Sequence, residues 1–171
     1  LDARCAQPGA HLVIEVVRHR TFNAPIDEIW ATLAEFDTIS RWAPNVEHSC
    51  LLDERPDDDD LAGAMIGIAR RVQSGRFVLV ERITVWEPKT RLAYEITGLP
   101  PVLRHVVNEW RLTSPGTPNS TYVALVTQVD CGPRPPQQLI ARAAGRSLAR
   151  ASDKMLDGLA DWCTTTKGTT P

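Results

Sequence analysis

The chemically capable side chains of this chain lie on segments with strand-like alternation, and Glu81 is the clearest group that could exchange a proton. It shares a strand face with Leu79 and Ile83, so an inward orientation would place its carboxylate among apolar side chains. A carboxylate in such a position either pairs with a cation or takes up a proton, which makes Glu81 a candidate general acid or base. A β-bulge would reverse the orientation, and the sequence alone favours a surface position for Glu81.

A second polar group is Asn108, within the segment from Leu103 to Thr113. Alternation puts Asn108 and Trp110 on one face, and the burial typical of tryptophan predicts that this is the inner face. The Asn108 amide would then donate to and accept from the polar end of a ligand, unless backbone or water satisfies it. His105, on the opposite face, could reach the mouth of a pocket from the preceding loop and is the second acid or base candidate.

The other candidate contacts are apolar side chains and side chains with a single polar tip. Tyr94 combines an aromatic body with a hydrogen-bonding hydroxyl, although an ordinary core tyrosine gives the same pattern. We predict that a ligand contacts the following residues: Trp42, Phe77, Tyr94, Asn108, Trp110, Thr127, Ala144, Leu148 and Met155.

Composition limits the class of protein and its partners. The chain has 171 residues, of which 43% are hydrophobic and 23% charged, as is typical of a single globular domain. Its formal net charge of -2 gives no reason to expect a nucleic acid partner. The apolar run from Leu12 to Val17 is too short to cross a bilayer, so we expect no stable membrane insertion.

The common catalytic and metal-binding motifs are missing from the sequence. There is no G-x-S-x-G, P-loop or H-E-x-x-H motif and no glycine-rich dinucleotide turn. The four cysteines are far apart in sequence, and His48 with Cys50 could form half of a metal site but has no second pair nearby. We therefore predict no metal, no cofactor and no disulfide framework, in a protein of the reducing cytoplasm.

Strand-like segments and turns fill most of the chain between two helical regions. His11 to Phe22 is rich in Val and Ile and predicts a first strand. Pro25 predicts the start of a helix, and Asp37 can cap a second short helix that ends at Trp42. Six further strands are predicted: Val46–Asp53, Ala64–Gln73, Arg76–Trp86, Arg91–Thr97, Leu103–Thr113 and Thr121–Asp130.

The connections between these segments are short, which favours an antiparallel meander. From Pro136 to Trp162 apolar residues recur at intervals of three and four, and this predicts one long amphipathic helix. These elements predict an α+β fold in which the helix closes the concave face of a curved, seven-stranded antiparallel sheet. A cavity would remain between sheet and helix. The exposed face of the helix carries Arg142, Arg146, Arg150 and Lys154.

Three segments of the chain, Phe22–Trp42, Ile83–Gly98 and Asn108–Val123, resemble the START-like (SRPBCC) superfamily with its helix-grip fold. Within it, they are most similar to the polyketide cyclase/dehydrase and lipid-transport family. The resemblance implies one ligand-binding domain, which we expect over residues 11–163, between flexible tails at 1–10 and 164–171. It also implies a small hydrophobic ligand in an internal cavity.

The use of that cavity stays open at this point. The first hypothesis is a module that binds a small hydrophobic or amphipathic molecule, such as a lipid, polyketide, isoprenoid or aromatic compound. The second is an enzyme of the cyclase, aromatase or dehydratase type that uses polar cavity residues such as Glu81 and His105. The third is a protein-interaction module acting through the basic face of the C-terminal helix. Whether the protein is an enzyme is undecided, and a homodimer is left open.

Overall fold

The computed structural model describes residues 13–54, 64–101, 103–130 and 135–167, with side chains in the last segment described for 143 and 145–165. Within these ranges the chain forms one sheet, two α-helices and one 3₁₀ helix. The side chain of Ala144, one of the predicted ligand contacts, lies outside the described part.

The sheet has seven strands, and every neighbouring pair is antiparallel. Their spatial order is β1-β7-β6-β5-β4-β3-β2, so β2 to β7 form a meander and β1 pairs with β7. This arrangement confirms the predicted fold. The strands are β1 Val13–Phe22, β2 His48–Leu51, β3 Ala69–Ser74, β4 Phe77–Glu87, β5 Arg91–Thr97, β6 His105–Thr113 and β7 Thr121–Asp130.

Two short helices follow β1, and a long one ends the described chain. Helix α1 spans Ile26–Ala34, the 3₁₀ helix spans Phe36–Arg41, and helix α2 spans Pro135–Lys167. In α1, Asp27 and Glu28 lie in the first turn, where the helix dipole favours negative charge.

The third predicted strand begins later in the structure than the sequence suggests. The prediction starts it at Ala64, whereas β3 starts at Ala69. The backbone turns instead at Gly67, which has φ +93° and donates its N–H to the carbonyl of Ile83 at 2.9 Å. A left-handed backbone of this kind ends strand geometry and favours glycine.

A bulge in β4 controls which side chains point inward. The register with β5 shifts between Ile83 and Val85. Because of this shift, Ile83 and Trp86 are both buried although they are three residues apart. Strict alternation would have placed them on opposite faces.

Ion pairs attach α2 to the edge strand β1. Arg18 contacts Asp153 at 3.0 Å, and Arg20 contacts Asp157. Two residues along a strand rise about 6.6 Å and four residues along a helix rise about 6.0 Å, so successive pairs match in spacing. These side chains are about half exposed, so each pair contributes little to stability by itself.

The second half of α2 packs closely against Trp42 and Pro44 at Gly158. A Cβ at this position would lie 2.6 Å from Cδ of Pro44 and inside van der Waals contact with the carbonyl oxygen of Trp42. At Gly145, the other described glycine of α2, an added Cβ would lie 3.7 Å from a methyl group of Ile14, which is an ordinary van der Waals contact.

We therefore expect opposite effects from two glycine substitutions in the same helix. Gly158→Ala should lower the free energy of unfolding by at least about 2 kcal/mol, because the clash with backbone outweighs the better helix propensity of alanine. Gly145→Ala should raise it by up to about 1 kcal/mol. Urea unfolding measures both, and equal effects of the two substitutions would refute the close packing at Gly158.

Candidate functional site

An internal cavity of about 170 Å³ lies between the sheet, the segment after the 3₁₀ helix and α2. Most of its wall is apolar, and four polar residues interrupt it. The lining consists of Ile39, Asn45, Val46, Val72, Ser74, Phe77, Leu79, Glu81, Ile96, Leu99, Val106, Asn108, Leu148, Ala151 and Met155.

The cavity occupies only one end of the concave face, because aromatic side chains fill the other. It lies beside the end of β3 and the starts of β4 and β6, whereas Trp86 and Trp110 lie near the opposite ends of β4 and β6. Three edge-to-face pairs form this aromatic cluster: Trp30 with Trp86 (5.1 Å between ring centroids), Phe36 with Tyr94 (5.7 Å) and Trp42 with Trp110 (5.9 Å).

The structure brings some of the sequence-predicted residues together at the cavity. Five of them line it: Phe77, Glu81, Asn108, Leu148 and Met155. The partly exposed ring of Phe77 (37%) stands at its rim, and Asn108 lies on the inner face with Trp110. Whether these residues contact a ligand stays a prediction.

Other predicted residues lie behind the cavity wall or away from it. Tyr94, Trp110 and Thr127 are buried in the layer beneath, and Trp42 packs on Trp110. His105 lies on the opposite face of β6, where its Nδ1 is 3.0 Å from Oε1 of Glu95 and its side chain is 54% exposed. Strand alternation separates His105 from the inner face.

A chain of hydrogen bonds connects Asn108 with its buried neighbours. Its Nδ2 donates to the Tyr94 hydroxyl at 3.4 Å, and Trp110 Nε1 donates to the same hydroxyl at 3.4 Å. On its other side, Thr127 Oγ1 donates to Asn108 Oδ1 at 2.7 Å and lies 3.3 Å from Oγ of Ser152 on α2. These contacts fix the amide while leaving the second N–H of Nδ2 available to a ligand.

Glu81 is buried and forms an ion pair with Arg70 directly across the β3–β4 hairpin. Its exposed fraction is 5%, that of Arg70 is 3%, and both Nε and Nη2 of Arg70 lie 2.6 Å from Glu81 Oε2. Arg70 Nη1 also donates to the carbonyl of Phe36, and the guanidinium stacks 3.9 Å from the centre of the Phe36 ring. The partner that a buried Glu81 requires is therefore present.

Sequence reasoning missed Arg70, Asn45 and Ser152. Asn45 lines the cavity, and its Oδ1 is buried without a hydrogen-bond partner among the described residues. Ser152 lies four residues after Leu148 and four before Leu156, so helical spacing alone would have placed it on the inner side of α2.

The environment of Tyr94 holds its hydroxyl in the protonated form. Complete burial, followed by the nearby carboxylate of Glu81, raises the pKa of Tyr94 from 10.0 to about 12. Arg70 and the hydrogen bonds from Trp110 and Asn108 oppose this rise. Tyr94 is thus a neutral hydrogen-bonding group at physiological pH.

A second, more open groove of about 430 Å³ lies between Trp42 and the end of α2. Charged residues of both signs border it, including Arg41, Lys154 and Asp161. The smaller internal cavity is the candidate site, because it is the less open of the two and has a mainly apolar wall with few polar groups, as is usual for a small-molecule site.

The described residues contain neither a group of three potential metal ligands nor a helix long and apolar enough to span a membrane. Among the described residues, Cys50 and Cys163 are not joined by a disulfide.

Residues 13–163 match the family described as polyketide cyclase / dehydrase and lipid transport. The chain belongs to this family. Among curated proteins, none matches the sequence.

Solved structures of the same fold include an aromatase/cyclase and a di-domain ARO/CYC. The Zhui aromatase/cyclase from Streptomyces sp. R1128 has a TM-score of 0.72 and 17% identity, over 90% of this chain and 94% of that one. The di-domain ARO/CYC StfQ from the steffimycin biosynthetic pathway has a TM-score of 0.70 and 15% identity, over 92% of this chain and 53% of that one. A START superfamily protein from Mycobacterium smegmatis has a TM-score of 0.66 and 13% identity, over 89% of this chain and 98% of that one.

In this family member, we expect the Arg70–Glu81 pair to show strong coupling. Glu81→Leu alone should lower the free energy of unfolding by about 3 to 5 kcal/mol, because it leaves a buried guanidinium without its counter-charge. The double variant Arg70→Met with Glu81→Leu should recover at least about 2 kcal/mol of that loss. Urea unfolding of the two single variants and the double variant gives the coupling energy.

The exposed pair Arg18–Asp153 provides the control for this cycle, because its side chains are 41% and 52% exposed. Its coupling energy should stay below about 1 kcal/mol. Similar coupling energies for the two pairs would contradict the buried assignment of Arg70 and Glu81.

The raised pKa of Tyr94 predicts a loss of stability in alkali. In the unfolded chain the hydroxyl ionises near pH 10, whereas the folded protein holds its proton to about pH 12. The stability that the protonated Tyr94 hydroxyl contributes to the folded state is complete below pH 10 and is lost as the pH rises to about 12. It amounts to about 3 kcal/mol at 1.36 kcal/mol per pKa unit.

Urea unfolding of Tyr94→Phe between about pH 9 and pH 12 tests the assignment. In Tyr94→Phe, the free energy of unfolding should fall less steeply with rising pH than in the wild type. Tyr122→Phe is the control, because Tyr122 is 38% exposed, and it should keep the wild-type slope. A wild-type slope in Tyr94→Phe would show that this hydroxyl is not the group concerned.

Proposed function

We propose that this protein binds a small hydrophobic or amphipathic molecule in the internal cavity. The supporting observation is the mainly apolar cavity of about 170 Å³, with Glu81 and Asn108 as fixed polar groups on its wall. Membership of a family named for lipid transport and polyketide chemistry supports a lipid or polyketide ligand, and isoprenoid and aromatic compounds share the apolar character that the cavity wall requires.

The energy of an unfilled cavity favours occupation. At about 24 cal/mol per Å³, an apolar space of 170 Å³ that was sealed and dry would cost up to roughly 4 kcal/mol. That is a large share of a typical domain stability of roughly 5 to 15 kcal/mol. A guest that restores the missing contacts therefore recovers a substantial free energy.

The cavity volume also sets the size of the guest. An engineered apolar cavity of about 150 Å³ holds benzene. The cavity as described therefore fits one ring or a short chain, and a larger molecule requires outward movement at the rim, where Phe77 and Leu99 lie.

A second candidate function is catalysis of the cyclase, aromatase or dehydratase type. The observation that favours it is the carboxylate of Glu81 on the cavity wall, where a bound substrate would meet a proton acceptor. Neighbours that are named aromatase/cyclases support the idea by analogy of fold.

The third hypothesis, a protein-interaction module, stays a prediction with less support. Arg146, Arg150 and Lys154 on α2 are exposed, as a solvated helix face would be. The cytoplasmic location and the homodimer are likewise predictions.

A cavity-filling substitution tests the proposed binding function. Ala151→Phe places a ring in the cavity and should reduce affinity for the native ligand at least tenfold, about 1.4 kcal/mol. Native mass spectrometry of protein purified from its own host measures the bound compound. A compound that is released unchanged supports carriage, and one that the protein alters on incubation supports catalysis.

Ala143→Phe is the matched control, because Ala143 is exposed on the same helix. Circular dichroism establishes that both variants are folded. Equal loss of the compound from both variants, or retention in Ala151→Phe, would place the ligand outside this cavity.

A further inference from the structure

We propose that the ligand of this cavity is a neutral molecule with a hydroxyl group, a phenol or an alcohol, and not a carboxylic acid. The inference rests on the proposed binding function and specifies the polar end of the ligand. It starts from the charges of the wall: among the described lining residues Glu81 is acidic, and none is a lysine, arginine or histidine.

The nearest buried cation is not available to an anionic ligand. Arg70 is held by Oε2 of Glu81 on one side and by the carbonyl of Phe36 on the other. Its guanidinium is stacked against the rings of Phe36 and Tyr94, 3.9 and 5.0 Å from their centres. Arg70 is 3% exposed and does not line the cavity.

The acceptor that the wall offers is Oε1 of Glu81, because both contacts of this carboxylate with Arg70 go to Oε2. Oδ1 of Asn45 also lacks a partner among the described residues, but it is fully covered by protein. A hydroxyl group can donate to such an acceptor, and its oxygen can accept from an amide such as that of Asn108.

These features discriminate between acidic and hydroxylated ligands. A carboxylate would bury its charge near another carboxylate with no cation on the wall, which is strongly unfavourable. A hydroxyl can donate to Oε1 of Glu81 without burying a second charge. Discrimination of this kind is large when a buried polar group is left without its partner.

Isothermal titration with three single-ring probes tests the inference. Para-xylene and para-cresol have the same shape, with a methyl group exchanged for a hydroxyl, and para-toluate carries a carboxylate. In an apolar cavity without an acceptor, para-cresol should bind at least about tenfold more weakly than para-xylene, because its hydroxyl loses water. We expect para-cresol to bind at least as tightly as para-xylene, and para-toluate to show no binding.

The double variant Arg70→Met with Glu81→Leu identifies the acceptor. It removes the carboxylate together with its counter-charge, so para-cresol should become at least about tenfold weaker than para-xylene. Replacing the outer-face pair in the same way, Arg91→Met with Glu109→Leu, is the matched control and should keep the wild-type order of affinities. These residues contact each other at 3.1 Å and lie outside the lining.

The outcomes separate the two proposals. Binding of para-xylene with para-cresol at least tenfold weaker overturns the hydroxyl inference and leaves the binding function standing. Tight binding of para-toluate also overturns it. Failure of every probe to bind contradicts the binding function itself. The wild-type comparison decides the inference even if the double variant does not fold.

Discussion

The arrangement of the interior beside the cavity depends on one buried ion pair, Arg70 with Glu81. It joins neighbouring strands of the sheet, and through the Phe36 carbonyl it joins that sheet to the 3₁₀ helix. The guanidinium also packs against the aromatic ring of Phe36, which fills the interior beside the cavity. A buried pair of this kind adds little net stability over apolar replacements, but losing one partner is costly. Within the pair, Glu81 lies on the cavity wall and Arg70 lies behind it, so the pair fixes the position of the acidic group of the wall.

The architecture was predictable from the sequence because turn residues and strand alternation agree along the chain. The first and last residues of β5 and β7 are the ones that the sequence predicts. The Arg70–Glu81 pair was not predictable, because register depends on the turn. A turn at Ser74-Gly75 would pair Arg70 with Leu79, whereas the actual turn lies one residue later, with Gly75 at φ +57°, and pairs Arg70 with Glu81. A shift of one residue in a hairpin turn changes every partner by two.

The extent of the cavity was also beyond sequence reasoning. Alternation places Asn108 and Trp110 correctly on the inner face, but it does not say which inward side chains meet each other and which leave space. The bulge after Ile83 turns Trp86 inward, and Trp86 packs against Trp30. Aromatic packing thus fills the half of the concavity in which Tyr94 and Trp110 lie, and the hollow is confined to the other half. Such contacts depend on three-dimensional packing and not on local pattern.

The close packing of Gly158 against Trp42 and Pro44 fixes helix α2 at this point. Leu148 lies ten residues away, about 15 Å along the helix axis. A tilt of the helix by about 4° at Gly158 would displace Leu148 by about 1 Å. Such a tilt would enlarge the hollow beside Leu148 and Ala151. The size of the guest therefore depends on how firmly the packing of α2 against Ile14 of β1 holds this part of the helix.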